Sequence, residues 1–187
     1  TALIWNKNEN ILASASSNDP NHSIAIWDMI AFCQRHRSQE IQRPNHPIPS
    51  PQILTAHAEA VYDLAWQPGS TTNLYSASGD KTIKKWNIIS ENPLKETYKA
   101  SGIVTRLLFD NNRNLMATIG KYFVVFNRSW KKLYQSITNG EIPRSTINED
   151  NRQSDETHFL SMRLIPGTNT VACLKKDETI CFFEPRA

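Results

Sequence analysis

The feature of this sequence that most constrains its fold is a pattern that recurs four times along its 187 residues. The clearest copy runs from His57 to Asn87 and contains three short segments rich in β-branched and aromatic residues. Turn residues separate these segments, at Gln67-Pro68-Gly69 and again at Gly79-Asp80-Lys81. Short apolar runs bounded by Gly, Pro and Asp are typical of strands joined by tight turns. The repeated unit is therefore predicted to be an antiparallel meander.

The spacing of the copies indicates the length of each repeat in residues. An aromatic residue marks the third strand of every copy, and these residues lie 59, 40 and 57 positions apart: Trp27, Trp86, Phe126 and Phe183. The shortest spacing equals one four-stranded unit of about 40–45 residues. The longer spacings imply two insertions, a proline-rich one at 33–51 and a polar one at 138–156. Both insertions are predicted to be surface loops.

The same pattern divides the chain into four units, which cover about residues 1–55, 57–99, 100–137 and 155–187. A fourth strand is predicted at the end of the first three units: Gln52–Thr55, Leu94–Lys99 and Lys132–Ile137.

Composition and charge argue against several classes of protein. Hydrophobic residues make up 39% and charged residues 21% of the chain, which is typical of a globular domain. No apolar run reaches the roughly 18 residues of a membrane helix, and a net charge of +3 is small for a nucleic-acid binder. The three cysteines lack the spacing of a disulfide framework or a zinc site. Because no signal segment follows Thr1, we expect an intracellular protein, either cytoplasmic or nuclear.

Two dipeptides carry a resemblance to a known family. His57, Asp80 and the pair Trp86-Asn87 resemble the His…Asp…Trp-Asp frame of WD40 repeats, and Trp27-Asp28 is a true Trp-Asp dipeptide in the first copy. The resemblance covers nearly the whole chain and is strongest in the second copy. It implies an all-β fold, a WD40-like β-propeller with about four blades visible.

The resemblance also implies a hydrogen-bonded tetrad made of His57, Ser76, Asp80 and Trp86. The chemistry of these side chains is compatible with such a set, because the Trp N–H can only donate, Ser can donate and accept, and His and Asp supply the remaining acceptors. A buried and fully satisfied network of this kind makes a fold rigid. We therefore expect the tetrad to be structural.

Propellers have 4–8 blades, and this bears on how complete the chain is. The chain is predicted to start inside the first strand of one blade and to end after the third strand of another. An outer strand would then be absent at both ends, which would leave unpaired edges. We expect the chain to be the later portion of a longer propeller, which would have seven blades as is typical of the family. The alternatives are a four-bladed ring and an assembly of two chains.

The sequence shows no motif that would support catalysis. Nucleophile-elbow, zinc-protease, P-loop and dinucleotide-binding motifs are all missing from it. We expect no enzyme activity, no cofactor, no metal and no small-molecule substrate. Cys173 and Cys181 lie on adjacent predicted strands, where they are either a redox pair or two buried cysteines.

The resemblance places the docking face of such a propeller on the rim of its central channel. On this sequence the residues expected to bind a partner there are Tyr62, Ile103, Thr105, His158, Leu160 and Lys176. Apolar anchors inside a polar rim are what a protein-binding hot spot needs. The other interpretation is that some of these side chains line the channel and bind nothing.

The sequence therefore predicts a non-catalytic scaffold that binds other proteins inside a larger complex. Three alternatives stay open: a propeller that binds RNA or ribonucleoprotein, a regulatory domain of a larger enzyme, and a substrate receptor of a ubiquitin ligase. The last is weakened because Ile30 and Ile89 stand where that class has a basic residue. Nucleic acid is not the favoured partner, since the basic clusters lack exposed aromatic residues for stacking.

Overall fold

The computed structural model of the chain describes residues 2–6, 10–16, 18–37, 50–137, 159–175 and 178–185. Within these ranges the chain forms four antiparallel sheets, each a meander in which sequence neighbours pair. We call them blades 1 to 4. Blade 1 has strands β1 (Ala2–Asn6), β2 (Ile11–Ala15), β3 (Ile24–Asp28) and β4 (Gln52–Leu54). Blade 2 has β5 (Val61–Trp66), β6 (Asn73–Ser78), β7 (Thr82–Asn87) and β8 (Leu94–Lys99).

The other two blades repeat this order. Blade 3 has β9 (Val104–Phe109), β10 (Leu115–Ile119), β11 (Tyr122–Phe126) and β12 (Lys132–Ile137). Blade 4 has β13 (Phe159–Leu164), β14 (Val171–Lys175) and β15 (Ile180–Phe183). The predicted all-β, propeller-type fold is confirmed.

The first strand of each blade is the innermost one. β1 contacts β5, β5 contacts β9, and β9 contacts β13, so the blades follow one another in chain order around the inner strands. Among the described residues no contact of similar extent joins β13 to β1. The four blades therefore form an open arc.

The hydrophobic core lies between blades, in three layers. Trp86, Leu64 and Leu74 of blade 2 pack on Ala13 and Ile24 of blade 1. The next layer joins blades 2 and 3 and includes Tyr75, Ile83, Val104, Val124 and Phe126. The third joins blades 3 and 4 and includes Met116, Phe123, Phe159, Met162 and Phe183. Each blade buries both faces only where it has a blade on each side, which is the physical basis of repeat stacking.

Blade 1 differs from the prediction at its outer edge. The fourth strand predicted at Gln52–Thr55 is confirmed as β4, whereas the separate expectation that an outer strand would be absent at both ends of the chain is wrong for blade 1. β4 pairs with β3 through the register Ile24–Leu54, Ala25–Ile53 and Ile26–Gln52. Blade 4 has three strands among the described residues.

A helix that the sequence analysis did not predict follows β3. Helix α1 covers Met29–Arg37, so the first part of the proposed 33–51 loop is helical. Asp28 begins the helix, since its Oδ1 accepts the backbone N–H groups of Ile30 at 2.9 Å and Ala31 at 3.1 Å. A side-chain acceptor at this position satisfies N–H groups that have no partner within the helix.

The predicted 138–156 loop lies outside the described residues. No helix within the described part of the chain is long and apolar enough to cross a membrane.

Candidate functional site

Four polar side chains of blade 2 form one continuous chain of hydrogen bonds. His57 lies before β5, Ser76 on β6, Asp80 in the β6–β7 turn and Trp86 on β7. The indole N–H of Trp86 donates to Ser76 Oγ at 2.8 Å. Ser76 Oγ is 2.7 Å from His57 Nε2, and His57 Nδ1 is 2.8 Å from Asp80 Oδ2. The structure thus brings together all four residues of the predicted tetrad.

The directions of these bonds follow from what each group can donate. Because the Asp80 carboxylate can only accept, the ring proton of neutral His57 lies on Nδ1, and Nε2 accepts the hydroxyl proton of Ser76. His57 Nδ1–H then donates to Asp80. Burial lowers the pKa of His57, against the opposing effect of the Asp80 hydrogen bond. His57 is therefore neutral near neutral pH, and its contact with Asp80 is a hydrogen bond rather than a pair of full charges.

Asp80 stabilises the β6–β7 turn through Oδ1, the carboxylate oxygen that does not contact His57. Burial raises the pKa of Asp80, but hydrogen bonds from Thr82 and His57 outweigh burial and leave this pKa below its ordinary value. Oδ1 accepts the backbone N–H of Thr82 at 2.9 Å and its hydroxyl at 2.6 Å. Oδ2 also accepts the backbone N–H of Ala58 at 3.1 Å. The carboxylate ties the entry to β5 to the β6–β7 turn.

The order Ser–His–Asp in this network resembles a hydrolase triad, but its surroundings differ from those of a nucleophile. Ser76 is fully buried, and its oxygen already accepts the Trp86 N–H. A nucleophilic serine needs its oxygen exposed to substrate, with donors for the developing oxyanion beside it. The geometry therefore suits a network that stabilises the fold.

Half of this network recurs in blade 1. Trp27 donates its indole N–H to Ser14 Oγ at 3.0 Å, and register places these residues where blade 2 has Trp86 and Ser76. This bond was not anticipated from the sequence. The Trp-Asp dipeptide at 27–28 was the signal that could have indicated it.

Three of the predicted rim residues, Tyr62, Thr105 and Leu160, share one structural position. The inner strands of blades 2, 3 and 4 each carry a β-bulge, at Tyr62, Thr105 and Leu160. A bulge re-aims the side chain of the extra residue and is common next to binding sites. Leu160 is 46% exposed, and Tyr62 and Ile103 are half-buried.

Thr105 is a correction to the predicted rim. Its side chain is buried, and its hydroxyl lies 2.9 Å from that of Thr118 on the neighbouring strand. Because β9 is flanked by both β5 and β13, this short polar side chain turns into blade 3 and does not reach the surface. The other two predicted rim residues, His158 and Lys176, lie outside the described residues.

Arg106 connects the rim positions, and sequence reasoning missed it. Its Nε donates to the carbonyl oxygen of Leu160 at 2.7 Å, and its Nη2 donates to the same oxygen. Its Nη1 donates to the carbonyl of Thr105 at 2.9 Å and makes a long bond of 3.4 Å to that of Tyr62. One guanidinium of blade 3 therefore contacts the bulges of three blades. A charged residue inside an otherwise apolar inner strand was the available signal.

Asp63 makes a second link between blades. Its Oδ2 accepts the backbone N–H of Leu107 in blade 3 at 2.9 Å, and its Oδ1 accepts the N–H of Leu64 at 3.0 Å. Burial raises the pKa of Asp63, although these hydrogen bonds and the nearby Arg106 act in the opposite direction. The side chain fixes β5 beside β9 and thereby sets the spacing of the rim.

The two cysteines of blade 4 lie opposite each other, and the surroundings of Cys173 do not favour its reactive thiolate form. Cys173 and Cys181 are direct partners in the β14–β15 register. Burial, with a smaller effect of Cys181, raises the pKa of Cys173 to about 12, which keeps this thiol protonated at neutral pH. Among the described residues no group of three or more His, Cys, Asp or Glu is arranged to hold a metal ion.

Comparison with known proteins adds independent findings. The family model for the WD domain, G-beta repeat, matches residues 49–87. The chain is 29% identical to a coronin-like protein of Saccharomyces cerevisiae over 114 residues, which are 61% of this chain and 17% of that protein. It is 34% identical to the peroxisomal targeting signal 2 receptor of the same yeast over 86 residues, covering 43% of this chain and 23% of the receptor.

A third relative is ribosome biogenesis protein YTM1 of Phaeosphaeria nodorum, 25% identical over 115 residues, with 59% of this chain and 24% of that protein covered. The chain thus spans less than a quarter of the length of these curated relatives.

Among solved structures, a chain in the crystal structure of a mitotic checkpoint complex superposes with a TM-score of 0.67 at 16% identity. The match covers 97% of this chain and 47% of that one. The fold is therefore shared, over about half of the solved chain. The matched model and the four stacked blades show that the chain contains a WD repeat at residues 49–87 within a propeller-type fold.

Proposed function

We propose that the chain is a non-catalytic scaffold that binds other proteins through the rim formed by Tyr62, Ile103 and Leu160. The observation that carries the proposal is the Arg106 guanidinium, which contacts the backbone of Leu160 and Tyr62 from the blade between them. Because these contacts are to backbone carbonyls, they hold the rim in place and leave the side chains available to a partner. A pre-organised surface loses little freedom on binding.

The chemistry of the rim supports a protein as the partner. The rim carries two apolar side chains, a tyrosine and the Arg106 guanidinium, and aromatic, apolar and Arg residues are the usual anchors of protein interfaces. The names of the relatives, a receptor and a biogenesis protein among them, are compatible with binding rather than catalysis. An intracellular location is part of the proposal, supported by three cysteines that form no disulfide.

The test compares proteins retained by the immobilised chain and by the double variant Tyr62→Ala/Leu160→Ala. Truncation of two anchors is expected to weaken retention by about 10- to 100-fold. The matched control is Ile89→Ala, which shortens an equally apolar, strongly exposed side chain in the β7–β8 connection. Thermal unfolding of all three chains should agree, because the altered side chains are not core residues.

Retention that is equal for the rim variant and the control would reject the rim as the binding surface. Nuclease treatment separates the RNA-binding alternative. A partner that is lost after nuclease treatment, or whose binding falls steeply with salt, would indicate a nucleic acid, whereas the proposal expects retention to persist.

A further inference from the structure

A cleft opens between blades 2 and 3, at the strand ends opposite the rim. The rim residue Tyr62 stands at the start of β5, whereas Gln67 of the cleft follows the end of that strand. The cleft holds about 270 Å³ of empty space, its open mouth included. Its lining combines aromatic rings with four polar side chains: Gln67, Arg113, Asn127 and Arg128. Because blades 2 and 3 already pack on each other, blades added at either end of the arc would leave this cleft open.

The base of the cleft is apolar and closely packed. Tyr75 of blade 2 and Leu115 of blade 3 line it and are 7% and 4% exposed. The centroid of the Tyr75 ring lies 5.3 Å from that of Phe109 and 5.9 Å from that of Trp130. These rings of two blades hold the base of the cleft rigid. Hydrogen bonds are stronger beside such a wall of low dielectric constant.

Two arginines stand at the mouth of the cleft. Arg113 in the β9–β10 turn and Arg128 in the β11–β12 turn are both exposed. A Cβ atom added to Gly69 would lie 3.5 Å from Nη2 of Arg113, so this guanidinium extends to the β5–β6 turn of blade 2. Among the described residues neither guanidinium forms a hydrogen bond or an ion pair. The five N–H donors of each therefore stay available.

The two amide side chains of the cleft offer donors as well. Asn127 Oδ1 accepts the backbone N–H groups of Ser129 and Lys131, both at 2.9 Å. These two bonds fix the orientation of the amide and leave Nδ2 as its free end. Gln67 Oε1 accepts Nδ2 of Asn73 at 3.2 Å, which leaves Nε2 of Gln67. Neither nitrogen has a partner within the described part of the chain.

The carboxylates that border the cleft are already engaged. Asp110 accepts the backbone N–H of Asn114 at 2.7 Å and the side-chain amide of the same residue at 2.9 Å. Glu96 accepts Lys85 Nζ at 2.7 Å and the indole N–H of Trp130 at 2.6 Å. No carboxylate of the described residues lines the cleft itself. The cleft therefore presents two positive charges and four donor groups without an anion to balance them.

We propose that this cleft binds a phosphate monoester on a serine or threonine of a protein partner, with Arg113 and Arg128 as the binding residues. A monoester carries a charge of about −1.5 to −2 at pH 7, so one group balances both guanidiniums. A carboxylate or a phosphodiester carries a single charge and leaves one of them unbalanced. The planar guanidinium matches the spacing of phosphate oxygens. Because both arginines stand at the mouth, the phosphate meets them on a short side chain.

The backbone at Arg113 supports a role for its side chain. Its N–H donates to the carbonyl of Asp110 at 3.0 Å, and its φ is 64°. This is the left-handed position of a three-residue hairpin turn, where glycine is usual. A bulky residue there is strained, and such strain is concentrated at ligand sites. Replacement of Arg113 by glycine therefore removes the guanidinium and relieves the backbone.

The first test is fluorescence anisotropy with a labelled peptide pool that has one fixed phosphoserine among randomised positions. The proposal expects saturable binding of this pool and about 10- to 100-fold weaker binding of the same pool with serine, since hydrogen bonds between charged groups are lost. A third pool has glutamate at the fixed position. The proposal is overturned if the serine or glutamate pool binds as tightly as the phosphoserine pool, or if none of the three binds.

The second test uses variants of the cleft. Arg113→Gly and Arg128→Gln are each expected to weaken binding of the phosphoserine pool by about 10-fold or more. Arg113→Gly should melt no lower than the native chain, because glycine suits the left-handed position. The matched control Lys132→Gln removes a positive charge at the β11–β12 turn, from a side chain that already donates to Gln135 at 3.1 Å. It should bind as the native chain does. A control as weak as the arginine variants would show attraction by net charge only and reject the site.

Competition separates the other carriers of phosphate. A single-stranded oligonucleotide, or vesicles that contain a phosphoinositide, are added to the complex with the phosphoserine pool. If either binds more tightly than the pool and loses its binding in Arg113→Gly, the cleft is a site for nucleic acid or for lipid, and the proposal fails. The rim variant Tyr62→Ala/Leu160→Ala should bind the phosphoserine pool normally. The cleft and the rim are therefore accepted or rejected independently.

Discussion

At the scale of the residue, the hydroxyl of Ser76 distinguishes the buried polar network of blade 2 from that of blade 1. Ser76 accepts the N–H of Trp86 and donates to His57 in the buried interior of the blade. Removing it leaves two buried groups without a partner, and each such group costs about 1–3 kcal/mol. In blade 1 the corresponding Ser14 satisfies only Trp27, and both residues there are half-buried.

The first prediction compares these two serines. Ser76→Ala is expected to lower the free energy of unfolding by about 2–3 kcal/mol, because Trp86 and His57 both lose a buried partner. Ser14→Ala, its matched control, is expected to cost about 1 kcal/mol or less, since water can replace the lost bond. Urea denaturation followed by tryptophan fluorescence measures both. Equal losses would show that the buried network adds nothing to a single Trp–Ser bond.

The second prediction concerns pH. Burial keeps the pKa of His57 below its ordinary value, so the unfolded chain takes up a proton at this residue more readily than the folded chain. Stability is then lost as pH falls through about 6.5, the value of an exposed histidine. The free energy of unfolding should decrease from about pH 7.5 to about pH 5.5. The lowered pKa of Asp80 acts in the same direction but in more acidic solution.

The control for this prediction is His57→Gln. The variant is expected to be less stable at neutral pH, and its stability should depend less on pH over the same interval, because the shifted group is gone. If both chains lost stability in parallel, another group would be responsible.

At the scale of the element, neighbouring inner strands are joined by side chains as well as by apolar packing. Asp63 of β5 accepts a backbone N–H of β9, and Arg106 of β9 donates to a carbonyl of β13. The inner strands are not hydrogen-bonded to each other through a ladder. These charged residues therefore set the relative position of the blades at the channel.

The third prediction follows from Asp63. Asp63→Ala leaves the Leu107 N–H without its acceptor, and we expect a loss of about 1–3 kcal/mol in the free energy of unfolding. Asp63→Asn keeps one carbonyl oxygen at the same place and should retain most of that stability. Chemical denaturation of the two variants gives the comparison. An Asn variant as unstable as the Ala variant would mean that the charge, not the acceptor, is what blade 3 requires.

At the scale of the whole molecule, the arc divides the blades into two classes. Within the described residues, blades 2 and 3 have a blade on both faces, whereas blades 1 and 4 have one covered face each. Local opening is cheaper where fewer apolar contacts must be broken.

The fourth prediction is a pattern of amide hydrogen exchange across the four blades. The middle strands of the covered blades, β6 and β10, should exchange more slowly than β2 and β14, the middle strands of the end blades. Mass spectrometry of peptic peptides resolves these strands. Uniform exchange across all four would indicate that the arc opens as a single cooperative unit.

Sequence reasoning was most successful where the information is local. Strand alternation and turn chemistry act between near neighbours in the chain, and so the strands of blades 2 and 3 could be predicted. The propeller class was predicted from the resemblance to WD40 repeats. The helix was missed because Asp28 was interpreted only as part of a repeat dipeptide, although an Asp can equally begin a helix. That ambiguity is resolved by which N–H groups lie near its carboxylate.

The sequence by itself determined the repeat and its strands, because a pattern of residue types recurs at a fixed spacing, and the resemblance to WD40 repeats indicated the partners of the tetrad. Only the tertiary structure decided which residues are buried and which are exposed. Thr105 turns inward because strands of two other blades flank it, and Leu3 is exposed while Leu64 is buried because only one of them has a blade against it. Burial depends on neighbours distant in the chain, and identical residues in equivalent positions can therefore have opposite environments.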